Sequence, residues 1–374
     1  MRTVRNEDSQ MIQSSVARFA EQSVVPGIED LNHFPDHPMP DGLVEGLDSL
    51  GLFDLLLHTE MGGGGASIDT LNVVLETLAE KVAAPAGILF AHSFAQHAVI
   101  QSGNIRAANR LVRKKGKAAP VILAYPVFSE IDSAVVTAGR QGSDLVLSGK
   151  LEFVVNAPIA SLLLVPVREE DSGQVSLCLL DLAADGIRVG ETLLTLGLRG
   201  CPAADIEFRG LVIPPSSVVT SGDGLDLLKK TARSFRGPAA AMAAGVVACS
   251  IHRARTYAEE RYQGGRNIID YQQVRAMLAD MLSDYATCCE AADRLSNGGQ
   301  FTETESALMF IRAKEGAARA TIDGVQLLGG YGYMEDYGQE RCMRDAKQIQ
   351  FLLGRCDPLR QELVGDWLGR EGAL

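Results

Sequence analysis

One stretch near the C-terminus concentrates residues suited to a phosphate-bearing ligand. It reads Gln326-Leu-Leu-Gly329-Gly330-Tyr-Gly-Tyr333, followed by Glu340-Arg341, Arg344-Asp345 and Lys347. Glycines that close a long helix carry no side chains, so backbone can approach a phosphate closely there. A glycine pair is equally an ordinary helix C-cap, and Arg344-Asp345 reads as an ion pair fixing the turn into the last helices. Groups able to move a proton are sparse. His92, Ser93 and His97 fall in one helical pattern. His33, His37 and His58 fall in loop or strand-like contexts with no paired carboxylate. No Ser-His-Asp arrangement, HExxH or phosphate loop is legible.

Bulk properties narrow the classes. The chain has 374 residues, 46% hydrophobic and 22% charged, enough for a large core and two or three domains. A net charge of −12 argues against a nucleic-acid surface, which needs clustered Lys and Arg. The compact basic run Arg110 to Lys117 reads as a solvated helix end. No apolar run suggests a membrane span, and the first residues lack the apolar core of a secretory signal. The 7 cysteines form no CxxC pair and read as packing residues or exposed thiols, which suits a cytoplasmic location and no metal site.

Three textures follow one another, predicting an α+β chain with separate helical and strand regions. Residues 1–118 read as an N-terminal helical domain, with helices over Asp8 to Val25, Leu43 to Leu52, Ser67 to Lys81 and Gly87 to Gln101. Residues 119–221 read as short β-branched strands forming an antiparallel barrel or sandwich. Residues 222–374 read as a C-terminal helical bundle, with Ala232 to Tyr262, Asp270 to Leu295 and Thr302 to Leu328 as its long helices.

The motifs and this order resemble the acyl-CoA dehydrogenase family over nearly the whole chain. The matching segments are Gly51-Leu-Phe with Glu60-Met-Gly-Gly63, Phe90-Ala-His92-Ser93, Leu196-Gly-Leu-Arg199-Gly200, Phe208 to Pro214, Glu260-Arg261 with Tyr271-Gln272, and Gln326 to Lys347. The resemblance implies FAD between the β-domain and the second helical domain. It gives Gln326, Gly329 and Gly330 to the adenosine diphosphate half of FAD and Arg261 to its pyrophosphate. A guanidinium suits that task because it is always charged and donates parallel hydrogen bonds. In the family this arginine reaches a neighbouring subunit's cofactor. The resemblance also implies flavin contacts at Tyr125, Val127, Phe153, Val155 and Gln272, and substrate contacts at Ser93, Arg236 and Tyr333.

The pattern fails where the chemistry should be. Oxidising an acyl thioester takes a proton from Cα and a hydride from Cβ, and the base is a glutamate. Its usual place is Leu353, and the alternative place used by some members is Phe235. The glycine-rich flavin loop has become Phe128-Ser-Glu-Ile-Asp-Ser133, Val155 stands where a hydroxyl bonds the flavin edge, and Gly264 replaces a phenylalanine. His92 is a weak substitute base. The split predicts the glutamate-lacking chain of a composite acyl-CoA dehydrogenase, tetrameric with a glutamate-bearing paralogue, with electron-transfer flavoprotein as a possible acceptor. The alternative is a stand-alone enzyme with a different base, or a flavin-dependent elimination or oxygenation.

Overall fold

The computed structural model describes residues 7–27, 41–113, 119–133, 135–296 and 301–369. His33, His37 and the loop expected over Asn32 to Pro40 lie outside them, as does the end of the basic run. At the described end of that run, Arg110 donates to the Leu179 carbonyl and Arg113 pairs with Asp48.

Among the described residues, five α-helices precede the strands: α1 (Glu7–Phe19), α2 (Leu43–Ser49), α3 (Ile68–Lys81), α4 (Ala83–Gln101) and α5 (Ile105–Asn109). Ser67 caps α3 by accepting the Thr70 N–H at 3.3 Å. Helix α4 begins at Ala83 rather than Gly87, because Pro85 in the first turn removes an N–H that has no helical partner anyway. It is buried along nearly its whole length.

The strands are β1 (Leu123–Ala124), β2 (Val136–Gln141), β3 (Asp144–Val155), β4 (Leu162–Glu169), β5 (Val175–Asp181), β6 (Ile187–Thr192), β7 (Ala203–Ile213) and β8 (Val218–Thr220). They form one sheet in the order β6-β7-β3-β2-β4-β5-β8, with β1 also on β4. Most pairs are antiparallel, but β1 and β2 both run parallel to β4. The runs around Leu145 and Phe153 belong to one strand, β3. Register shifts between Leu147 and Gly149 and between Leu151 and Val154 bend it. Strands β2 and β6 escape a hydrophobicity reading because polar residues outnumber apolar ones in both. Strands β4 and β5 are buried on both faces: Leu162, Leu164, Leu177 and Leu179 join the helical core, while Leu163, Val165, Cys178 and Leu180 face the sheet's own core. That double burial explains their unbroken apolar runs.

Helix α6 (Gly224–Glu260) spans 37 residues and packs on α3, α4, α7, α8 and α9. By length and hydropathy it could cross a membrane, yet 78% of its apolar window is buried inside the protein. A short hairpin, β9 (Tyr262–Gln263) and β10 (Arg266–Asn267), leads to α7 (Gln272–Ser296), α8 (Glu303–Leu328), α9 (Gln339–Ile349) and α10 (Cys356–Gly369). A reciprocal capping box between Thr302 and Glu305 starts α8.

Candidate functional site

The α6 end, the β9–β10 hairpin and the α8 end converge on one cleft. Gly264 and Gly265 turn the hairpin at φ +66° and +92°, conformations that favour glycine. A Cβ on Gly264 would lie 2.2 Å from the Tyr271 hydroxyl, which donates to the Gln263 and Gly264 carbonyls at 2.9 and 3.2 Å. That close approach accounts for a glycine at this position. Arg261, anchored by its N–H to the Tyr257 carbonyl at 2.8 Å, projects over the Tyr331 ring at 5.7 Å. Helix α8 stops at Gly329, whose φ of 60° and ψ of −132° suit only glycine. Above Gly329 and Gly330 the space is open, with no heavy atom within 4 Å of an added Cβ. The result is a cleft of about 640 Å³ lined by Arg261, Gln326, Gly329 and Gly330 with Tyr257 and Tyr331. Of the expected companions, Gln272 is the exposed first residue of α7, and Tyr271 and Gln273 line the cleft instead. Tyr333 is 80% exposed and lies outside the lining.

A second cleft, about 360 Å³, is apolar. Phe128, Phe153, Leu196 and Phe351 form most of it, with Lys347 and Gln348 at the α9 side. Phe128 and Phe153 meet edge to face at 5.4 Å. Phe153 sits at φ 53°, held there by its N–H bonding Asp205 at 2.9 Å. Tyr125, Val127 and Val155, expected as flavin contacts, are buried core residues outside the lining. Tyr125 and Val155 exchange backbone hydrogen bonds at 3.2 Å, and the Tyr125 ring stacks on Phe94 at 4.8 Å. Burial pushes the Tyr125 phenol upward, and its hydroxyl has no hydrogen-bond partner.

Neither glutamate position offers a base. Phe235 is wholly buried, edge-on to Phe90 and Phe94 at 5.5 and 5.3 Å and beside His97 at 5.5 Å. Leu353 occupies a turn at φ 59° and donates its N–H to the Val127 carbonyl at 2.7 Å. It borders a third cleft of about 180 Å³ shared with Arg236 and Glu130. Arg236, expected to meet substrate, pairs with Glu303 at 2.5 Å and Ser306 at 2.9 Å, and Glu303 also binds Arg233 at 2.7 Å. Arg355 crosses to Glu130 at 2.6 Å, tying the Leu353 turn to the rebuilt loop after Phe128.

His92 cannot fill the vacancy. Its Nε2 donates to the Phe53 carbonyl at 2.7 Å and its Nδ1 accepts the Leu123 N–H at 3.2 Å. Burial drives its pKa down to about 4, so it is a neutral tie between α4, β1 and the Phe53 turn. Ser93 is buried beside it on α4, and His58 is exposed in a turn. Arg344 and Asp345 do not pair with each other as expected. Arg344 binds Glu340 at 2.9 Å and the Leu196 carbonyl at 3.0 Å, while Asp345 accepts the Leu198 N–H at 2.6 Å. Together they fasten α9 to the Leu196–Leu198 loop, and burial raises Asp345 to about 6.

One residue of this region escaped sequence reasoning. Lys314 on α8 is fully buried, and its ammonium donates to the Leu352 and Gly354 carbonyls at 2.8 Å each, 4.5 Å from the Phe310 ring centre. It clamps the turn that presents Leu353. No cluster of three potential metal ligands occurs among the described residues.

Comparison with known proteins gives these clefts a context. The acyl-CoA dehydrogenase N-terminal domain matches residues 6–114, the middle domain 129–211 and the C-terminal domain 222–363. Benzylmalonyl-CoA dehydrogenase of Aromatoleum aromaticum is 28% identical, with 91% of this chain and 93% of that protein aligned. Cyclohex-1-ene-1-carbonyl-CoA dehydrogenase of Geobacter metallireducens is 28% identical over 82% of this chain and 84% of its own length. The structure of butyryl-CoA dehydrogenase from Megasphaera elsdenii superposes with a TM-score of 0.87 at 22% identity, covering 99% of this chain and 100% of that one. With all three domain models matched in order across the chain, this protein belongs to the acyl-CoA dehydrogenase family.

Proposed function

We propose that this chain is the glutamate-lacking subunit of a composite acyl-CoA dehydrogenase, lending its Arg261 cleft to FAD shared with a glutamate-bearing partner. One observation carries the reading: Arg261, Gln326, Gly329 and Gly330 line a single open cleft, while Leu353 and Phe235 are apolar. The cleft fits a pyrophosphate, because a guanidinium and glycine backbone with open space above it line the same cavity. The apolar cleft at Phe128 and Phe153 fits a flat ring system, although Val155 offers no hydroxyl to its edge. When bound, FAD supplies the acceptor for the hydride leaving Cβ of the thioester. The chain's own residues then bind and orient, and none of the described ones is placed to take the α-proton. A leucine cannot act as a general base, and His92 has both nitrogens committed to backbone. The partner's carboxylate supplies that step, and electron-transfer flavoprotein is the proposed acceptor. The names of the relatives, both dehydrogenases of CoA thioesters, support the substrate class.

The test is the visible absorption spectrum of the protein purified alone and after co-expression with a glutamate-bearing paralogue. The reading expects little flavin alone and near-stoichiometric flavin in the mixed assembly. A fully loaded yellow protein from this chain alone overturns it. The aromatic cleft at Phe128 and Phe153 favours one alternative, a stand-alone flavoprotein running elimination or oxygenation. Oxygen consumption or product release by the isolated chain without an electron acceptor would identify that case.

A further inference from the structure

The second and third clefts share one partition, built from the loop between β1 and β2 and the turn between α9 and α10. Phe128, Ser129 and Phe351 line the apolar cleft, whereas Glu130, Asp132, Leu353 and Arg355 line the charged one. Two ties cross the partition: the Leu353 N–H to the Val127 carbonyl at 2.7 Å, and Arg355 to Glu130 at 2.6 Å. The loop also presses on the turn. At Gly354, φ +92°, an added Cβ would lie 3.1 Å from Cγ of Glu130 and 3.4 Å from its Cα.

The two sides are held unequally. The turn is clamped from behind, where buried Lys314 donates to the Leu352 and Gly354 carbonyls. Beyond the two ties, the hydrogen bonds of residues 128–133 among the described residues stay local: Ser129 N–H to the Pro126 carbonyl, and the N–H and hydroxyl of Ser133 to the Glu130 carbonyl. The turn is therefore the fixed side and the loop the movable one. The bridge joining them meets water, with side-chain exposures of 61% for Arg355 and 28% for Glu130, so it holds weakly and salt screens it.

We infer that the Glu130–Arg355 bridge is a latch that keeps a thioester from lying between the apolar cleft and residue 353. The inference rests on the subunit reading above, which assigns the apolar cleft to the flavin ring. In acyl oxidation the Cα–Cβ bond lies between the ring that takes the hydride and the group that takes the proton. The latched partition stands on that line. This chain's own site is thus shut as well as baseless, and a thioester enters only in the fraction of molecules whose latch is open. Glu130 and Arg355 both belong to segments where the sequence departs from its relatives' pattern, the rebuilt loop and the turn carrying Leu353.

The test combines hydrogen exchange and calorimetry on the full chain, with butyryl-CoA as the probe. Exchange of the Leu353 amide reports opening directly, because its N–H makes one of the two ties. Glu130→Gln and Arg355→Gln should each raise that exchange about three- to fivefold, and 1 M NaCl should do the same to wild type. Butyryl-CoA affinity of Glu130→Gln should rise by the same factor, and the charge swap Glu130→Arg with Arg355→Glu should return both readouts toward wild type. Unchanged Leu353 exchange in both single variants overturns the latch. Faster exchange with unchanged or undetectable butyryl-CoA binding overturns the exclusion of thioester. Both residues are partly exposed, and melting curves confirm that the variants are folded. The flavin content of the same samples tests the subunit reading separately, so either can fail without the other.

Discussion

Replacing Lys314 with Met should make the stability of this protein lose a specific part of its pH dependence. The Lys314 ammonium is buried, and burial lowers its pKa from 10.5 to about 8, with the nearby Arg236 charge adding to the effect. A shift of that size corresponds to about 3 kcal/mol by which the fold disfavours the charged form. Near neutral pH both folded and unfolded chains hold the proton, so the wild type bears that cost in full. Between about pH 8 and 10.5 the folded protein releases its proton first while the unfolded chain still keeps it. The unfolded state then binds more protons, and stability rises by up to about 1.4 kcal/mol per pH unit. A neutral amine still has two N–H groups, matching its two acceptors, the Leu352 and Gly354 carbonyls. Met fills similar volume but leaves those carbonyls without donors, at about 1–3 kcal/mol each. Near neutral pH this loss and the relief of the buried charge largely offset, and the variant should fall within about 2 kcal/mol of wild type. Toward pH 10 it should fall behind by about 3 kcal/mol more. Urea unfolding of both proteins at several pH values measures the difference. Parallel stability curves across that window would refute a buried, titrating Lys314.

Arg261→Met should weaken FAD binding to the assembled enzyme about 10- to 100-fold, the worth of a charge-assisted contact, with thermal stability unchanged because Arg261 is exposed. Flavin fluorescence titration and melting curves separate the two effects. His92 stays neutral down to about pH 4, so as pH falls from 6.5 the unfolded chain gains a proton that the fold refuses, and stability drops. Replacing His92 with Gln should flatten that decline by up to about 3 kcal/mol, read from unfolding free energies at acid and neutral pH. Leu353→Glu alone should yield no acyl-CoA oxidation with an artificial electron acceptor, since Val155 and the Phe128 loop remain altered; measurable turnover would show that only the base was missing.

What the sequence made legible was local. The Gln326 to Gly330 helix end and the helix starts near Ser67 and Thr302 each declare themselves within a few residues, and α3 and α8 begin within one residue of those positions. What stayed hidden depends on partners far along the chain. The ring of His92 is held by Phe53 and Leu123, 39 and 31 residues away, so its commitment to backbone left no trace beside it. Lys314 reads as a surface lysine on an Ala-rich helix, and only the turn 38 to 40 residues downstream makes it a buried clamp. Arg344 and Asp345 look paired because they are neighbours, yet a helix points adjacent side chains apart and each finds the Leu196–Leu198 loop. The parallel pairing of β1 and β2 with β4 is non-local in the same way.

The most direct measurement is anaerobic addition of acyl-CoA to the mixed assembly whose partner glutamate has been changed to Gln, following flavin bleaching. If this chain holds cofactor but has no base, every flavin stays oxidised. Bleaching of a constant fraction of the flavin, retained with the partner's glutamate gone, would show a working base in this chain and contradict the central claim.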